Sequence, residues 1–289
     1  MFGLALATTW LLAVALPERD ANGLPHTRSE SVLIRYADTE DTILEKLPDK
    51  VRPVASLTKL MSALVLDKSG LNPPEEVTLL EADKDRLKWS RSRLQIGRVF
   101  RGPDLYRAAL VASDNRAMYA LVRSLGFERA QFVEKMNALA KELGMTKSQF
   151  KDPAGIDPEN LSTARDIALL LAAASRCEEI CATTTSTAVA MERDGEVVLR
   201  FGNTNRLLHS KRWQIVAGKT GYTVEAGRNL AMRVMIGDRP VDMVFLGSRE
   251  MQSIFGDAGR VKRWMEEKLR AEAPKDSTSR SKTKAASTP

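Results

Sequence analysis

The chain has 289 residues, of which 43% are hydrophobic and 28% charged, and its formal net charge is +7. This composition excludes a chain that is disordered throughout and allows one large globular domain or two small ones. The positive charge comes without an aromatic-rich binding motif or a recognition helix, so no nucleic-acid partner is expected. A solvated basic surface or an anionic polymer partner suits the same charge.

The first feature along the chain is an apolar stretch from Phe2 to Leu16, followed directly by Pro17 and charged residues. Its roughly 15 residues are fewer than the about 20 that a comfortable membrane span needs. They match the hydrophobic region of a secretory signal peptide, and Ala13-Val14-Ala15 supplies small residues for cleavage. Residues 1–23 are therefore predicted to be a cleaved signal peptide and linker, with an uncleaved anchor as the alternative.

Strands are predicted at both ends of the folded part, with helices between them. Ser31–Tyr36 is predicted as a strand that pairs with a returning strand at 42–44, and a helix follows over 54–68. Further helices are predicted over 106–124, 128–143 and 163–176. From residue 188 the apolar period changes to two, which predicts strands at 188–193, 196–201, 213–216, 229–237 and 241–247 before a last helix over 257–271.

This order predicts an α+β fold, in which an antiparallel five-stranded sheet is flanked by helices and carries an inserted helical subdomain. One domain is expected over 24–272, with its sheet part at 31–62 and 186–272 and its helical part at 63–185. Residues 273–289, rich in Lys, Ser and Thr, are expected to form a disordered basic tail. Cys177 and Cys181 are expected to be unbridged residues at a helix end, with a strained disulfide as the alternative.

Few residues in the sequence can carry catalytic chemistry. His26 and His209 are its only histidines, and it contains no Gly-x-Ser-x-Gly nucleophile elbow, His-Glu-x-x-His zinc motif or Gly-rich phosphate loop. No metal or cofactor is therefore expected. A serine enzyme whose base is a lysine remains.

Ser56 and Lys59 fit that chemistry because they are three residues apart at the start of a predicted helix. Such residues share a helix face with about 5–6 Å between their Cβ atoms, so the amine can take the hydroxyl proton. The helix N-terminus adds partial positive charge near the oxygen under attack. Ser-x-x-Lys is a weak motif by itself, and its alternative is a helix-start serine with a solvent-facing lysine.

Two further motifs follow in order, Ser113-Asp114-Asn115 in an apolar helical region and Lys219-Thr220-Gly221 behind a strand. Ser, Asp and Asn favour caps and turns over helix interiors, so their presence there indicates a polar site. With all three motifs in this order, the chain resembles the low-molecular-mass penicillin-binding proteins, the D-alanyl-D-alanine endopeptidases and carboxypeptidases of the serine β-lactamase-like superfamily. The resemblance runs from about residue 31 to residue 271.

The resemblance implies four catalytic residues. Ser56 would attack the D-alanyl carbonyl and form an acyl-enzyme, with Lys59 as its base. Ser113 would pass a proton to the leaving amine, and Asn115 would orient Lys59 and the substrate amide. Burial and the charge of Lys219 are both expected to lower the pKa of Lys59.

The third motif and the residue after it are implied to bind the substrate. Lys219 and Thr220 would hold a substrate carboxylate, and Gly221 would let the peptide lie close along the strand. The backbone N–H groups of Ser56 and Tyr222 would form the oxyanion hole.

The implied function is hydrolysis of D-alanyl-diaminopimelyl cross-links in peptidoglycan, with stem peptides as substrates and β-lactams as inhibitors. The implied location is the periplasm, and a wall hydrolase is an expected partner. Carboxypeptidases of the family usually continue into a β-rich C-terminal domain and place an Arg on the last core strand. This chain ends soon after Ala271 and offers only Arg239 just before that strand, and both features favour the endopeptidase branch. Asp114 departs from that branch, whose middle motif usually has Glu at this position.

Three alternatives stay open. A D-alanyl-D-alanine carboxypeptidase would trim pentapeptides with the same residues. A class A β-lactamase would need a deacylating glutamate, for which Glu159 is the candidate, and a helix before the first strand. A wall-binding module that keeps the motifs without turnover is the third.

Overall fold

The computed structural model describes residues 18–193, 196–250 and 253–272. The predicted signal sequence at 2–16, the turn at 194–195 and the predicted tail at 273–289 lie outside these ranges. No helix within them combines the length and the hydropathy that a bilayer span requires.

The described residues form eleven strands and seven α-helices. The strands are β1 Ser31–Tyr36, β2 Thr42–Lys46, β3 Arg52–Pro53, β4 Val77–Thr78, β5 Val99–Phe100, β6 Leu161–Ser162, β7 Ala188–Arg193, β8 Glu196–Gly202, β9 Gln214–Thr223, β10 Gly227–Ile236 and β11 Arg239–Ser248. The helices are α1 Thr58–Lys68, α2 Gly102–Val111, α3 Asn115–Ser124, α4 Arg129–Glu142, α5 Ala164–Ala174, α6 Glu178–Thr185 and α7 Ser253–Glu272.

The main sheet has five antiparallel strands in the order β2-β1-β11-β10-β9, which confirms the predicted fold class. Side chains on a strand alternate between the two faces of a sheet, so a covered sheet needs apolar residues on both faces. In β1, Val32 packs in the cluster that contains Val261 and Trp264 of α7. Its neighbour Leu33 packs in the cluster that contains the helical part of the chain. The sheet is therefore covered on both faces, and β9 is an edge strand.

The helical part is organised around α1. Every α1 residue from Thr58 to Leu66 is buried, including the polar Lys59 and Ser62. A helix that is buried all round lies inside a core, and α1 contacts α2, α4 and α5. The turn at 55–57 that directly precedes α1 contacts β9, so the first predicted motif meets the strand that carries the third.

The predicted single helix over 106–124 is wrong, because α2 ends at Val111 and α3 begins at Asn115. The break falls on the second motif. The Asp114 carboxylate caps α3 by accepting a hydrogen bond from Ala117 N at 3.0 Å. Ser113 has a φ of 61°, which a helix interior does not allow. The capping preference of these residues overrides the apolar periodicity on both sides.

Two predictions for the strand-rich part also need correction. The hairpin of β7 and β8 forms its own two-stranded sheet, because Val189, Met191 and Phe201 pack into the helical core. β9 extends beyond the predicted 213–216 to Thr223, so the third motif lies within the strand and not behind it. Glycines within that segment weaken its strand signal in the sequence.

Helix α6 was not predicted, and its N-terminus carries the two cysteines. Cys177 and Cys181 are both free, as expected. The Cys177 thiol hydrogen-bonds the Asp67 carboxylate at 3.0 Å. Burial is the main cause that raises the pKa values of both thiols.

Candidate active site

Ser56 lies in a single 3-10 turn over Ala55–Leu57, directly before α1. The preceding residue, Ala55, has a φ of 49°, a region that costs a residue with a Cβ about 1–2 kcal/mol. Gly155 packs against this turn so closely that a Cβ there would lie 2.1 Å from the Ala55 carbonyl oxygen. The backbone on the N-terminal side of Ser56 is thus held in a strained conformation by a neighbouring loop.

Lys59 is fully buried in the first turn of α1, and its amine points at three acceptors. Nζ lies 3.0 Å from Ser56 Oγ, 2.6 Å from Asn115 Oδ1 and 2.6 Å from the Ala154 carbonyl oxygen. The first and second predicted motifs therefore meet at this amine. The Ala154 contact adds a third element, the loop that also contains Gly155.

Burial lowers the pKa of Lys59 from 10.5 to about 8. The carboxylates of Asp152, Asp114 and Asp85 act in the opposite direction, since negative charge favours the ammonium form. Burial lowers the pKa of Lys219 well below 10.5, and the charge of Lys59 lowers it further. Repulsion between two ammonium groups disfavours the charged form of each, which agrees with the expectation for Lys59.

The loop from Asp152 to Asn160 supports both Ser56 and Lys59. The Asp152 carboxylate accepts hydrogen bonds from the backbone N–H groups of Ala154, Gly155, Ile156 and Asp157 at 2.6–2.9 Å. Asn160 Nδ2 donates to the same carboxylate at 2.7 Å. These hydrogen bonds hold the loop in place, and with it the Ala154 carbonyl oxygen that accepts from Lys59. No role was predicted for Asp152 or Asn160 from the sequence.

Asn115 begins α3 and reaches across to two neighbours. Its Oδ1 accepts from Lys59, and its Nδ2 donates to Ser90 Oγ at 2.9 Å. The Asp114 carboxylate accepts from Ser92 Oγ at 2.7 Å in addition to capping the helix. The second motif is therefore tied to a loop over 85–92 that sequence reasoning did not single out.

The third motif faces this cluster from the edge strand β9. Lys219 is 2% exposed and its Nζ donates to the Thr220 carbonyl oxygen at 3.1 Å. The Thr220 hydroxyl donates to Thr204 Oγ1 at 2.6 Å. A Cβ at Gly221 would lie 3.0 Å from Ser56 N, so only glycine lets the strand pass this close to the turn.

Six of the eight predicted site residues line one cleft with a volume of about 640 Å³, and the other two, Lys59 and Lys219, are buried. The lining comprises Ser56, Ser113, Asn115, Gly202, Asn203, Thr204, Arg206, Thr220, Gly221, Tyr222, Arg228, Ile254 and Phe255. The structure therefore brings the three motifs together at a single place.

Sequence reasoning missed the two arginines of this cleft. Arg228 pairs with Tyr222 across the β9–β10 ladder, and its guanidinium carbon lies 4.5 Å from the centre of the Tyr222 ring. Its Nε is buried and has no hydrogen-bond partner among the described residues. Arg206 directly follows the segment Asn203-Thr204-Asn205, of which Asn203 and Thr204 also line the cleft. A prediction of the register between β9 and β10 would have placed Arg228 opposite Tyr222.

Glu159 and Arg239, which the sequence analysis weighed when it compared branches of the family, do not line the cleft. Glu159 is exposed and pairs with Lys151 at 3.7 Å, and it does not line the cleft. Arg239 lies at the opposite end of β10 from Arg228, where it pairs with Asp38 at 2.7 Å. The described residues contain no group of three or more His, Cys, Asp or Glu side chains placed to hold a metal ion.

Comparison with known proteins agrees with this geometry. Residues 18–250 match the family described as D-alanyl-D-alanine carboxypeptidase, peptidase S11. A D-alanyl-D-alanine endopeptidase of Pseudomonas aeruginosa is 35% identical over 268 residues, which cover 91% of this chain and 86% of that protein. A D-alanyl-D-alanine endopeptidase of Escherichia coli is 34% identical over 263 residues, with 91% and 85% covered.

Among solved structures, the DD-transpeptidase of Streptomyces K15 is similar to this fold with a TM-score of 0.76 at 26% identity. The similarity covers 83% of this chain and 97% of that one. The family match spans most of the chain and includes all three motifs. The chain belongs to the D-alanyl-D-alanine carboxypeptidase family, peptidase S11.

Proposed function

We propose that this chain is a serine D-alanyl-D-alanine endopeptidase that hydrolyses D-alanyl-diaminopimelyl cross-links of peptidoglycan through an acyl-Ser56 intermediate. The observation that carries the proposal is the convergence of Lys59 Nζ on Ser56 Oγ and Asn115 Oδ1. A buried amine of lowered pKa beside a hydroxyl is the arrangement that activates a serine nucleophile.

In the acylation step, neutral Lys59 takes the proton of Ser56 Oγ as this oxygen bonds to the D-alanyl carbonyl carbon. The C–N bond then breaks, and the leaving amine receives a proton through Ser113, which lines the same cleft. In the second step water attacks the ester carbon, with Lys59 again as base. The peptide leaves with a D-alanine carboxylate, and Ser56 regains its proton.

The developing negative charge on the carbonyl oxygen needs donors that are already in place. The N–H groups of Ser56 and Tyr222 are proposed for this role. The close approach of Gly221 to the Ser56 nitrogen supports it, because strand and turn are near enough for two N–H groups to face one oxygen.

Cationic and hydroxyl groups line the β9 side of the cleft. Thr220 and Thr204 supply hydroxyls, and Arg206 and Arg228 supply guanidinium groups, while no Asp or Glu stands among the described lining residues. Such a wall suits an anion. We therefore assign the substrate carboxylate next to the scissile amide to this wall, together with the buried Lys219.

An endopeptidase is favoured over a carboxypeptidase by two observations. The two relatives described above are named endopeptidases, and the chain covers most of their length. The leaving half of a cross-link continues beyond its carboxylate as an aliphatic chain, and Ile254 and Phe255 give the cleft an apolar wall for it. The carboxypeptidase reaction is the second candidate, because the family carries that name.

We also propose that the enzyme acts in the periplasm. Its proposed substrate is found outside the cytoplasmic membrane, which agrees with the export signal predicted at 2–16. β-Lactams are proposed as inhibitors that acylate Ser56, in keeping with the penicillin-binding fold. The expected wall-hydrolase partner stays a prediction.

The test is digestion of purified cross-linked muropeptide dimers and of monomeric pentapeptides, with products identified by mass spectrometry and Ser56→Ala as the control. Loss of dimer with little free D-alanine is the expected result. Release of D-alanine from pentapeptides with intact dimers would move the chain to the carboxypeptidases. Turnover that survives Ser56→Ala would remove the nucleophile assignment.

A further inference from the structure

A second groove adjoins the catalytic cleft on the side of the second motif. Its volume is about 510 Å³, and it is lined by Lys84, Asp85, Trp89, Ser90, Arg91, Ser92, Arg93 and Arg116. Ser90 belongs to this groove, and its hydroxyl accepts the hydrogen bond from Asn115, which lines the cleft. One hydrogen-bonded pair of side chains therefore separates the two surfaces.

Trp89 is the most unusual residue of the groove. Its side chain is 73% exposed, and its φ of 52° is a strained conformation for a residue with a bulky side chain. Strained backbone that the surrounding structure maintains is found preferentially at binding sites. Tryptophan is enriched among the few residues that carry most of the binding energy at interfaces, so an indole held in this way is available to contact a ligand.

The loop that carries Trp89 is fixed in place. The Asp85 carboxylate accepts the backbone N–H groups of Leu87, Lys88 and Ser90 at 2.8–2.9 Å. Because its own N–H bonds and the Asn115 contact tie the loop at several points, the backbone that carries the indole is preorganised. A side chain on a preorganised backbone loses less entropy when it binds a partner.

The groove is also strongly basic. Four of its lining residues are Lys or Arg, against the single acid Asp85, whose oxygens are occupied by backbone N–H groups. Arg93 is held in position by stacking on Phe201 at 4.2 Å. The groove therefore offers one aromatic face among several cations.

We propose that this groove binds the glycan strand that carries the stem peptide being cut, with the Trp89 indole stacked on a sugar ring and the arginines facing carboxylates of neighbouring stems. The inference rests on the proposed endopeptidase function, because the cleft next to the groove then holds a peptide attached to that glycan. A sugar ring presents an apolar face that suits an indole, and the free carboxylates of stem peptides supply the negative charge that the groove attracts.

The experiment compares two substrates that contain the same cross-link. One is polymeric peptidoglycan, and the other is a cross-linked peptide dimer from which an amidase has removed all sugars. The measured quantity is the ratio of kcat/KM for the polymer to kcat/KM for the sugar-free dimer. Trp89→Ala keeps the Cβ and the strained backbone while it removes the indole. Leu87→Ala is the matched control, because Leu87 is 56% exposed on the same loop and lies outside the groove.

Trp89→Ala should lower this ratio by about tenfold, the effect expected when one aromatic anchor leaves an interface, and Leu87→Ala should keep the wild-type ratio. An unchanged ratio in Trp89→Ala, or an equal fall in both variants, would overturn the proposal. Arg91→Ala should reduce the salt sensitivity of activity on the polymer, since it removes one charge from the groove.

Binding is measured separately, so that it does not depend on turnover. The Ser56→Ala protein should cosediment with peptidoglycan, and the added Trp89→Ala change should weaken that binding. If the wild type cuts neither substrate yet still binds in a Trp89-dependent way, the proposed function fails and the glycan site stands. Release by single-stranded oligonucleotide at concentrations where soluble glycan strands have no effect would overturn the glycan assignment.

Discussion

Replacing Gly155 by alanine tests whether the supporting loop sets the position of the nucleophile. The new Cβ would lie 2.1 Å from the Ala55 carbonyl oxygen, so that oxygen must retreat by more than 1 Å to reach an ordinary contact of at least 3.4 Å. The φ of 78° adds about 1–2 kcal/mol of strain, and the overlap adds about 1–3 kcal/mol. Because Ala55 precedes Ser56, a shift of this size should lower kcat by about 100-fold.

The matched control is Gly144→Ala. Gly144 has nearly the same φ, 76°, and a Cβ there meets nothing within 4 Å. Both variants are assayed for dimer cleavage and for the free energy of unfolding in urea. The control should lose only the strain contribution and keep full activity. Equal activity and equal stability in the two variants would refute the reasoning that Gly155 fixes the turn at Ser56.

Three further predictions follow from the same geometry. kcat/KM should rise with pH through an apparent pKa near 8, because burial lowers the pKa of Lys59 to about that value and only neutral Lys59 can accept the proton of Ser56. A rising limb of the pH profile with an apparent pKa near 10 would contradict this assignment. Asp152→Asn removes a charge that raises the pKa of Lys59, so the limb should move to lower pH, and an unmoved limb would show that this charge is not felt. Arg228→Ala should raise KM for cross-linked dimers about 10-fold, as expected for losing a hydrogen bond to a charged group, whereas Arg239→Ala at the start of β11, away from the cleft, should leave KM unchanged.

The proximity of the candidate catalytic side chains was the most predictable part of this protein. Ser56 and Lys59 are three residues apart, so helix geometry alone brings their side chains together. The sequence also has few competing nucleophiles or bases, which made elimination effective. The alternating and helical periods of the apolar residues were likewise enough to predict the fold class, because both are local properties of the chain.

The supporting contacts were not predictable, because they depend on packing between distant segments. Asp152 acts through hydrogen bonds to backbone N–H groups, which leave no pattern of side-chain types in the sequence. Arg228 enters the cleft only through the register of β9 and β10. Ile254 and Phe255 reach it from α7, whose start was predicted four residues too late. The break between α2 and α3 was missed because apolar periodicity continues on both sides of it.

Trapping the acyl-enzyme would show whether Ser56 is the acyl-accepting nucleophile. The protein is incubated with penicillin, digested and mapped by mass spectrometry, in parallel with Ser56→Ala. We expect one penicilloyl adduct on the peptide that contains Ser56 and none in the variant. An adduct on another residue, or the same labelling in Ser56→Ala, would contradict it.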